Sequence, residues 1–329
     1  MAELGGQMTS VAARGCSNTL TMNERSNVVA FVRAIRGQVC RLCCLKNRFR
    51  PNGVLELFER RKTKSMAGAA FTLSALIYHQ TVYDLRTSSR NALAGLAIIV
   101  FQNLALVAVF MGMYYLIGIR TSPVRGDFLL FIMSGIFVYM THVKAVGAVS
   151  SSYSVSKAVM KHEPLSAAVL ISASALSALY QQVLGCFVIL SFYHLAVKQI
   201  TIDQWQGVAG MFMLAWFSGC CIGMVFLGIR PWAPKAAGVI TTLYSRINMF
   251  ASGKMMVANS IPGFLLPWFD WNPLFHLIDQ GRGFMFINYT PRVTDLLYPV
   301  WVSIAALMVG LLINFTTRKY ESASWGATS

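Results

Sequence analysis

Between residues 91 and 117 the chain reads "NALAGLAIIVFQNLALVAVFMGMYYLI", without one charged side chain. About 20 apolar residues suffice to cross a bilayer as a helix. Five more stretches of this kind follow, near 128–149, 166–196, 206–229, 237–257 and 294–316, the third long enough to tilt or to emerge from the membrane. In hydrocarbon the backbone polar groups have no water to bond, so a single span must be a helix. The composition agrees. Of 329 residues, 56% are hydrophobic and 12% are charged, and the mean hydropathy is +0.56. Soluble domains carry about twice that share of charge. The expected fold is therefore all-α and integral to the membrane, with six transmembrane helices.

Charge orients the chain. The formal net charge is +16, and residues 1–65 supply half of it through twelve Lys/Arg against four Asp/Glu. A basic tail beside a bilayer points to anionic lipid on the cytoplasmic side rather than to nucleic acid. Of the sixteen Lys/Arg from residue 66 onward, ten fall on the tail's side of the six spans, so both termini are expected in the cytoplasm. The tail itself shows no sustained period and no signal peptide, its one apolar run being "VVAF". It is expected to be disordered, with a short helix near 25–45. A chain starting at Met66 would already contain the whole membrane domain, so residues 1–65 could be an over-extended reading frame. The expected organisation is a tail over 1–65, a membrane domain over 66–320 and a cytoplasmic tail over 321–329.

Residues 67–89, "AGAAFTLSALIYHQTVYDLRTSS", are semi-polar. Leu73, Leu76, Ile77 and Tyr83 can share one helical face, with His79, Asp84 and Arg86 elsewhere, as in an amphipathic helix at the interface. An ordinary pre-membrane helix is the plainer reading. The seven cysteines say little. Cys40 and Cys43 have C-x-x-C spacing, but zinc needs a second pair, so free thiols are expected and no metal.

Several chemistries are excluded. No G-x-x-x-x-G-K-[ST] occurs, and "SGKMM" at 252–256 lacks both the upstream glycine and the hydroxyl after lysine. The chain therefore carries no ATP site of its own. H-E-x-x-H and G-x-S-x-G are missing too. Without clustered intramembrane carboxylates, an ion-coupled pump is disfavoured.

What remains are three polar features. The loop "SSYSVSKAVMKHEPLS", 151–166, is expected on the cytoplasmic side and is helix-compatible up to Pro164. A short helix there would offer Lys157, Lys161, His162 and Glu163 to a partner; a solvated turn is the bland alternative. Arg246 lies well inside the fifth expected span. An intramembrane arginine costs at least ~2.5–3.5 kcal/mol and so normally faces a bundle interior, a partner or water. It would contact an anionic substrate or a subunit partner, or else snorkel. Finally, "DWNPLFHLIDQGRGFMFINY", 270–289, is too polar for a span and too aromatic for a soluble loop. Asn272 and Pro273 fit an N-cap followed by proline at the first helical position. The helix they start would enter the outer leaflet and leave again. The expected result is a re-entrant external gate between spans 5 and 6, carrying Asn272, Pro273, His276, Asp279 and Arg282.

"NPLFHLIDQGRGF" resembles the N-P-L-x-H-x-I-[DE]-x-x-R stretch before the last span of ABC type-2 transporter permeases. The likeness is greatest to those that export capsular polysaccharide and O-antigen. "LIYHQTVYDLRTSSRNALAGL" resembles their interface helix, "MKHEPLSAAVLI" their coupling helix and third span, and "SRINMFASGKMM" their fifth span. "YPVWVSIAALMVGLLINFTTRKYE" resembles their last span, so the likeness covers 66–320. The chain departs from the pattern in its long tail and at Lys254, where such permeases commonly have an apolar residue.

This resemblance implies a permease homodimer with a separate ABC ATPase subunit, which would hold the ATP and magnesium. It also implies an inner-membrane exporter of polysaccharide, lipid-linked or lipid-terminated, through a channel at the dimer interface. Aromatic side chains suit a sliding sugar ring face, and Tyr114, Tyr115, Tyr244 and Phe250, with Arg246, are the candidates for the path. Membrane packing is the plainer reading of each aromatic. An ABC type-2 exporter of a small hydrophobic compound stays open, as does a polytopic membrane enzyme or scaffold. Removal of residues 1–65 is expected to leave membrane insertion and transport unchanged. Fractionation and a transport assay on the truncated chain check this.

Overall fold

The computed structural model describes residues 66–88, 92–118, 127–159 and 166–326. The basic tail, Lys161, His162 and Glu163 lie outside the described residues. In chain order the helices are α1 (Met66–Ser88), α2 (Ala92–Ile117), α3 (Phe128–Val159), α4 (Ala167–Ala196) and α5 (Trp205–Ile229). They continue with α6 (Pro234–Ala251), α7 (Pro267–Asp270), α8 (Pro273–Met285) and α9 (Leu297–Gly326), and a 3-10 turn, Ala258–Ser260, precedes α7. No strand occurs among the described residues.

Among the described residues, five helices are long and apolar enough to cross a membrane: Ala94–Ile117, Phe128–Ser152, Ala167–Ala196, Trp205–Ile229 and Leu297–Thr317. Six were expected. The fifth expected span, 237–257, instead contains α6, which ends at Ala251. Its 18 residues include Lys235, Thr241, Thr242, Ser245, Arg246 and Asn248, which dilute its apolar character. At 1.5 Å per residue α6 is about 27 Å long.

The bundle is organised around α5, which packs against α3, α9, α8 and α6, its widest contact being with α3. Small residues make that contact possible. A Cβ on Gly219 would lie 2.5 Å from the His142 carbonyl oxygen, and one on Gly223 would lie 3.0 Å from that of Val146. Glycines four apart on one face let two membrane helices meet backbone to backbone. Polar side chains add to the packing. Trp216 Nε1 donates to the Ala175 carbonyl of α4 at 2.8 Å, and Asn314 Nδ2 of α9 donates to the Met224 carbonyl at 2.9 Å. α2 and α9 leave most of their side chains at the surface of the chain, with Phe101, Leu116, Trp301 and Phe315 among the most exposed.

Three expectations change in detail. Residues 151–159 form no separate helix but continue α3. Serine hydroxyls make this possible by bonding back along the helix, Ser150 to the Gly147 carbonyl and Ser152 to that of Val149, at 3.1 and 2.7 Å. Likewise α9 continues through the expected terminal tail to Gly326. In α1, Leu73, Leu76 and Tyr83 face outward and only Ile77 of the expected apolar face is half-buried. The face nearer the bundle carries Gln80, Thr81 and Asp84 instead, and α1 packs on α4. Partial burial raises the Asp84 carboxyl above its ordinary range, opposed by Gln80 Nε2 donating to it at 2.9 Å.

Substituting Gly219 by Val forces branched carbon against the α3 backbone, and overpacking of this kind costs about 1–3 kcal/mol. Gly112→Ala, where nothing lies within 4 Å of an added Cβ, is the matched control. Thermal unfolding in detergent should show a clear loss for the first and no change for the second.

Candidate functional site

The segment from 252 to 296 closes one end of the bundle, and its chemistry is concentrated on α8. Asn272 caps this helix as expected. Its Oδ1 accepts from the Leu274 amide at 3.1 Å, and Pro273 occupies the first turn. The Asn272 Nδ2 donates to Asn248 Oδ1 at 2.8 Å and to the Ala251 carbonyl at 3.0 Å, tying the start of α8 to the end of α6. α8 does not lie on the surface. Ten of its residues, among them His276, Asp279 and Arg282, are buried against α3 and α5. Leu274, Leu277 and Ile278 cluster with Tyr139 of α3 and with Met211 and Ala215 of α5.

Each ionisable group on α8 has a distinct role. Arg282 is 1% exposed. Its Nη1 donates to the Met256 carbonyl at 2.7 Å, and Nη2 donates to the Lys254 carbonyl. The guanidinium carbon lies 3.9 Å from the centre of the Phe131 ring. A Cβ at residue 135 would stand 2.8 Å from Nη2, so Gly135 makes room for the clamp. Asp279 accepts hydroxyl hydrogens from Tyr289 and, at 2.8 Å, from Thr294. His276 Nδ1 accepts from the Asp295 amide at 3.0 Å. That bond leaves Nε2 to carry the hydrogen, which it donates to the Asp270 carbonyl at 2.8 Å. Arg282 therefore holds the turn before the 3-10 helix, while Asp279 and His276 hold the segment that leads into α9. One buried helix fastens both flanking loops.

The turn 252–256 passes over α2 and α3. Gly253 has φ +62°, a left-handed conformation that glycine adopts without strain. Lys254 follows, 3% exposed, with Nζ 3.5 Å from the centre of the Tyr139 ring and 4.5 Å from that of Phe110. Tyr114 donates its hydroxyl to the Met255 carbonyl.

The other expected residues are scattered. His79 and Arg86 are exposed on α1. Lys157 falls on the helical extension of α3. Of the proposed path residues, Tyr115, Arg246 and Phe250 face outward from the chain, with Tyr115 66% and Phe250 65% exposed. Tyr114 is buried, and the Tyr244 hydroxyl bonds to His142 Nε2 at 2.9 Å. His142 was not foreseen. It is fully buried, and its Nδ1 meets Ser218 Oγ at 2.9 Å, so one imidazole joins α3, α5 and α6. A histidine inside an apolar run is itself a signal that could have found it. Asn248, Tyr289 and Thr294 were missed because their partners lie far off in sequence.

Together these features define a multi-pass helical membrane protein in which a buried, polar, internally bonded cap separates α6 from α9. No family model matches the chain. The chain is similar to the polysialic acid transport protein KpsM of Escherichia coli, at 21% identity over 240 residues, which cover 72% of this chain and 90% of that protein. This match bears out the resemblance drawn from the sequence motifs. Arg282→Lys keeps the charge but loses the fork that reaches two carbonyls. The expected cost is about 1–3 kcal/mol, the scale of a lost charged hydrogen bond. It would be read as a lower unfolding temperature together with faster proteolysis within 257–271.

Proposed function

We propose that this chain is the membrane-spanning permease subunit of an ATP-driven exporter that moves polysaccharide, lipid-linked or lipid-terminated, across the bacterial inner membrane. The observation that carries this reading is the similarity to a polysaccharide transport protein over 90% of that protein's length. The architecture fits it. α6 serves as the sixth membrane crossing, fifth in order. Its polar side chains Tyr244 and Asn248 are engaged within the chain through His142 and Asn272, and the Ser245 hydroxyl donates back to the Thr241 carbonyl, so they need no lipid-facing partner. Both termini are then cytoplasmic, and the cap on α8 is the external gate.

The permease works as a homodimer. Tyr115 of α2 and Arg246 and Phe250 of α6 point out of the single chain, where a second copy and the sugar path between the copies would meet them. ATP and magnesium bind a separate ABC ATPase. The carboxyl end of α3, with Lys157, Lys161, His162 and Glu163 just beyond or on it, docks that subunit, assisted by α1 with His79, Asp84 and Arg86. Exposed charge pairs contribute only ~0–1 kcal/mol each, so shape and backbone must carry much of the docking.

Loss of the chain should leave polysaccharide inside the cell, while the same loss would leave polymer export untouched if the cargo were a small hydrophobic compound. Cysteine at position 157 should crosslink to the ATPase in a complex that still exports. Absence of that crosslink in a working complex would move the docking surface elsewhere, to α1. Arg246→Leu should insert at least as well as the parent, because a charge leaves hydrocarbon, yet export less. Quantified surface polymer against total polymer checks it.

A further inference from the structure

Lys254 is an ionisable side chain of the cap whose one polar atom has no hydrogen-bond partner among the described residues. It is buried, and its Nζ makes no hydrogen bond. The faces of Tyr139 and Phe110 meet it, at 3.5 and 4.5 Å. Ring faces attract an ammonium, but they replace its three hydrogen-bonded waters only in part. The charge around it does not compensate. The buried ionisable groups of the cap are Lys254, Arg282, Asp279 and His276. Both Asp279 oxygens take hydroxyl hydrogens from Tyr289 and Thr294. Both ring nitrogens of His276 are engaged, Nδ1 by the Asp295 amide and Nε2 by Asp270. The buried carboxylate of the cap, Asp279, forms no ion pair with Lys254, so the amine is enclosed beneath the cap without a counter-ion.

Gly253 is left-handed, and the Ser252 hydroxyl beside it is buried without a partner. The turn is held down chiefly by its carbonyls, through Arg282, and by the Tyr114 hydroxyl, rather than by the lysine side chain.

We propose that Lys254 is an anion-binding residue held in reserve under the gate: when the turn 252–256 leaves α3, its ammonium exchanges the Tyr139 and Phe110 faces for a carboxylate or phosphate oxygen of the passing polymer. The proposal rests on the export reading above and narrows its cargo to acidic polysaccharide. A charge-assisted hydrogen bond then replaces a π contact, so an acidic chain favours the open gate while a neutral one does not.

The test uses the full-length protein in nanodiscs and a fluorescent oligogalacturonate, with maltodextrin of equal length as the neutral probe. The wild type should bind the acidic oligomer at least about tenfold more tightly than the neutral one. Lys254→Met and Lys254→Gln should abolish most of that preference, and Lys254→Arg should keep part of it. Lys254→Met should unfold at no lower temperature than the wild type, because an apolar chain of similar length replaces an unsatisfied buried ammonium. This separates lost recognition from lost folding. An acid preference that survives in Lys254→Met and Lys254→Gln overturns the proposal, while the export reading stands. If exchanging phosphatidylcholine for phosphatidylglycerol removes the wild-type preference, the lysine serves a lipid phosphate and the proposal is likewise overturned. A wild type that binds neither oligomer overturns the export reading and this proposal with it.

Discussion

The rest of the bundle depends on the approach of α5 to α3 at Gly219 and Gly223. Lipid tails are as apolar as leucine, so helices gain little by hiding apolar side chains from them. What holds them together is close packing and the few polar bonds that packing brings within reach. With α5 against the α3 backbone, His142 reaches Ser218 and the Ala215 carbonyl. The same imidazole then takes α6 through Tyr244. Once α3 and α5 are fixed, a surface exists on which α8 can bury Leu274, Leu277 and Ile278.

The cap follows a different physics from the spans. Irregular backbone within or beside hydrocarbon is tolerated only where other protein groups bond it. α8 supplies those groups to both of its flanks, Arg282 toward the turn after α6 and His276, Asp279 and Gln280 toward the segment before α9. Its own ends are also bonded, by the Asn272 cap and by the Gln204 amide, which donates to the Phe284 carbonyl at 3.0 Å. The polar residues that made 270–289 look foreign to a membrane are the ones that let its backbone be buried.

The parts legible in the sequence were those set by local pattern. Uninterrupted apolar runs placed α2, α4 and α5 within a few residues, and Asn272 with Pro273 placed the start of α8. What sequence could not supply was set by contacts between distant residues. The stretch from 151 was expected as a loop with a short helix of its own, yet the hydroxyls of residues 150–152 return to carbonyls of the same helix and α3 runs on. α1 turns polar residues toward α4 because Gln80 and Asp84 satisfy one another, which a hydrophobic pattern does not register. Lys254 stood out in the sequence as a departure from the permease pattern near the end of the fifth expected span, and only the fold encloses it between rings from α2 and α3.

α3 is 32 residues long without interruption. At 1.5 Å per residue it is a rod of about 48 Å, against about 30 Å of hydrocarbon. One end of this rod carries Lys157. The other carries Phe131 and Gly135, which touch Arg282. A helix is stiff along its axis, so there is no joint between the two ends to absorb a displacement. Any tilt imposed on the far turns of α3 therefore arrives at the guanidinium clamp as a lever stroke, and the serine hydroxyls that keep the rod unbroken set the length of its arm.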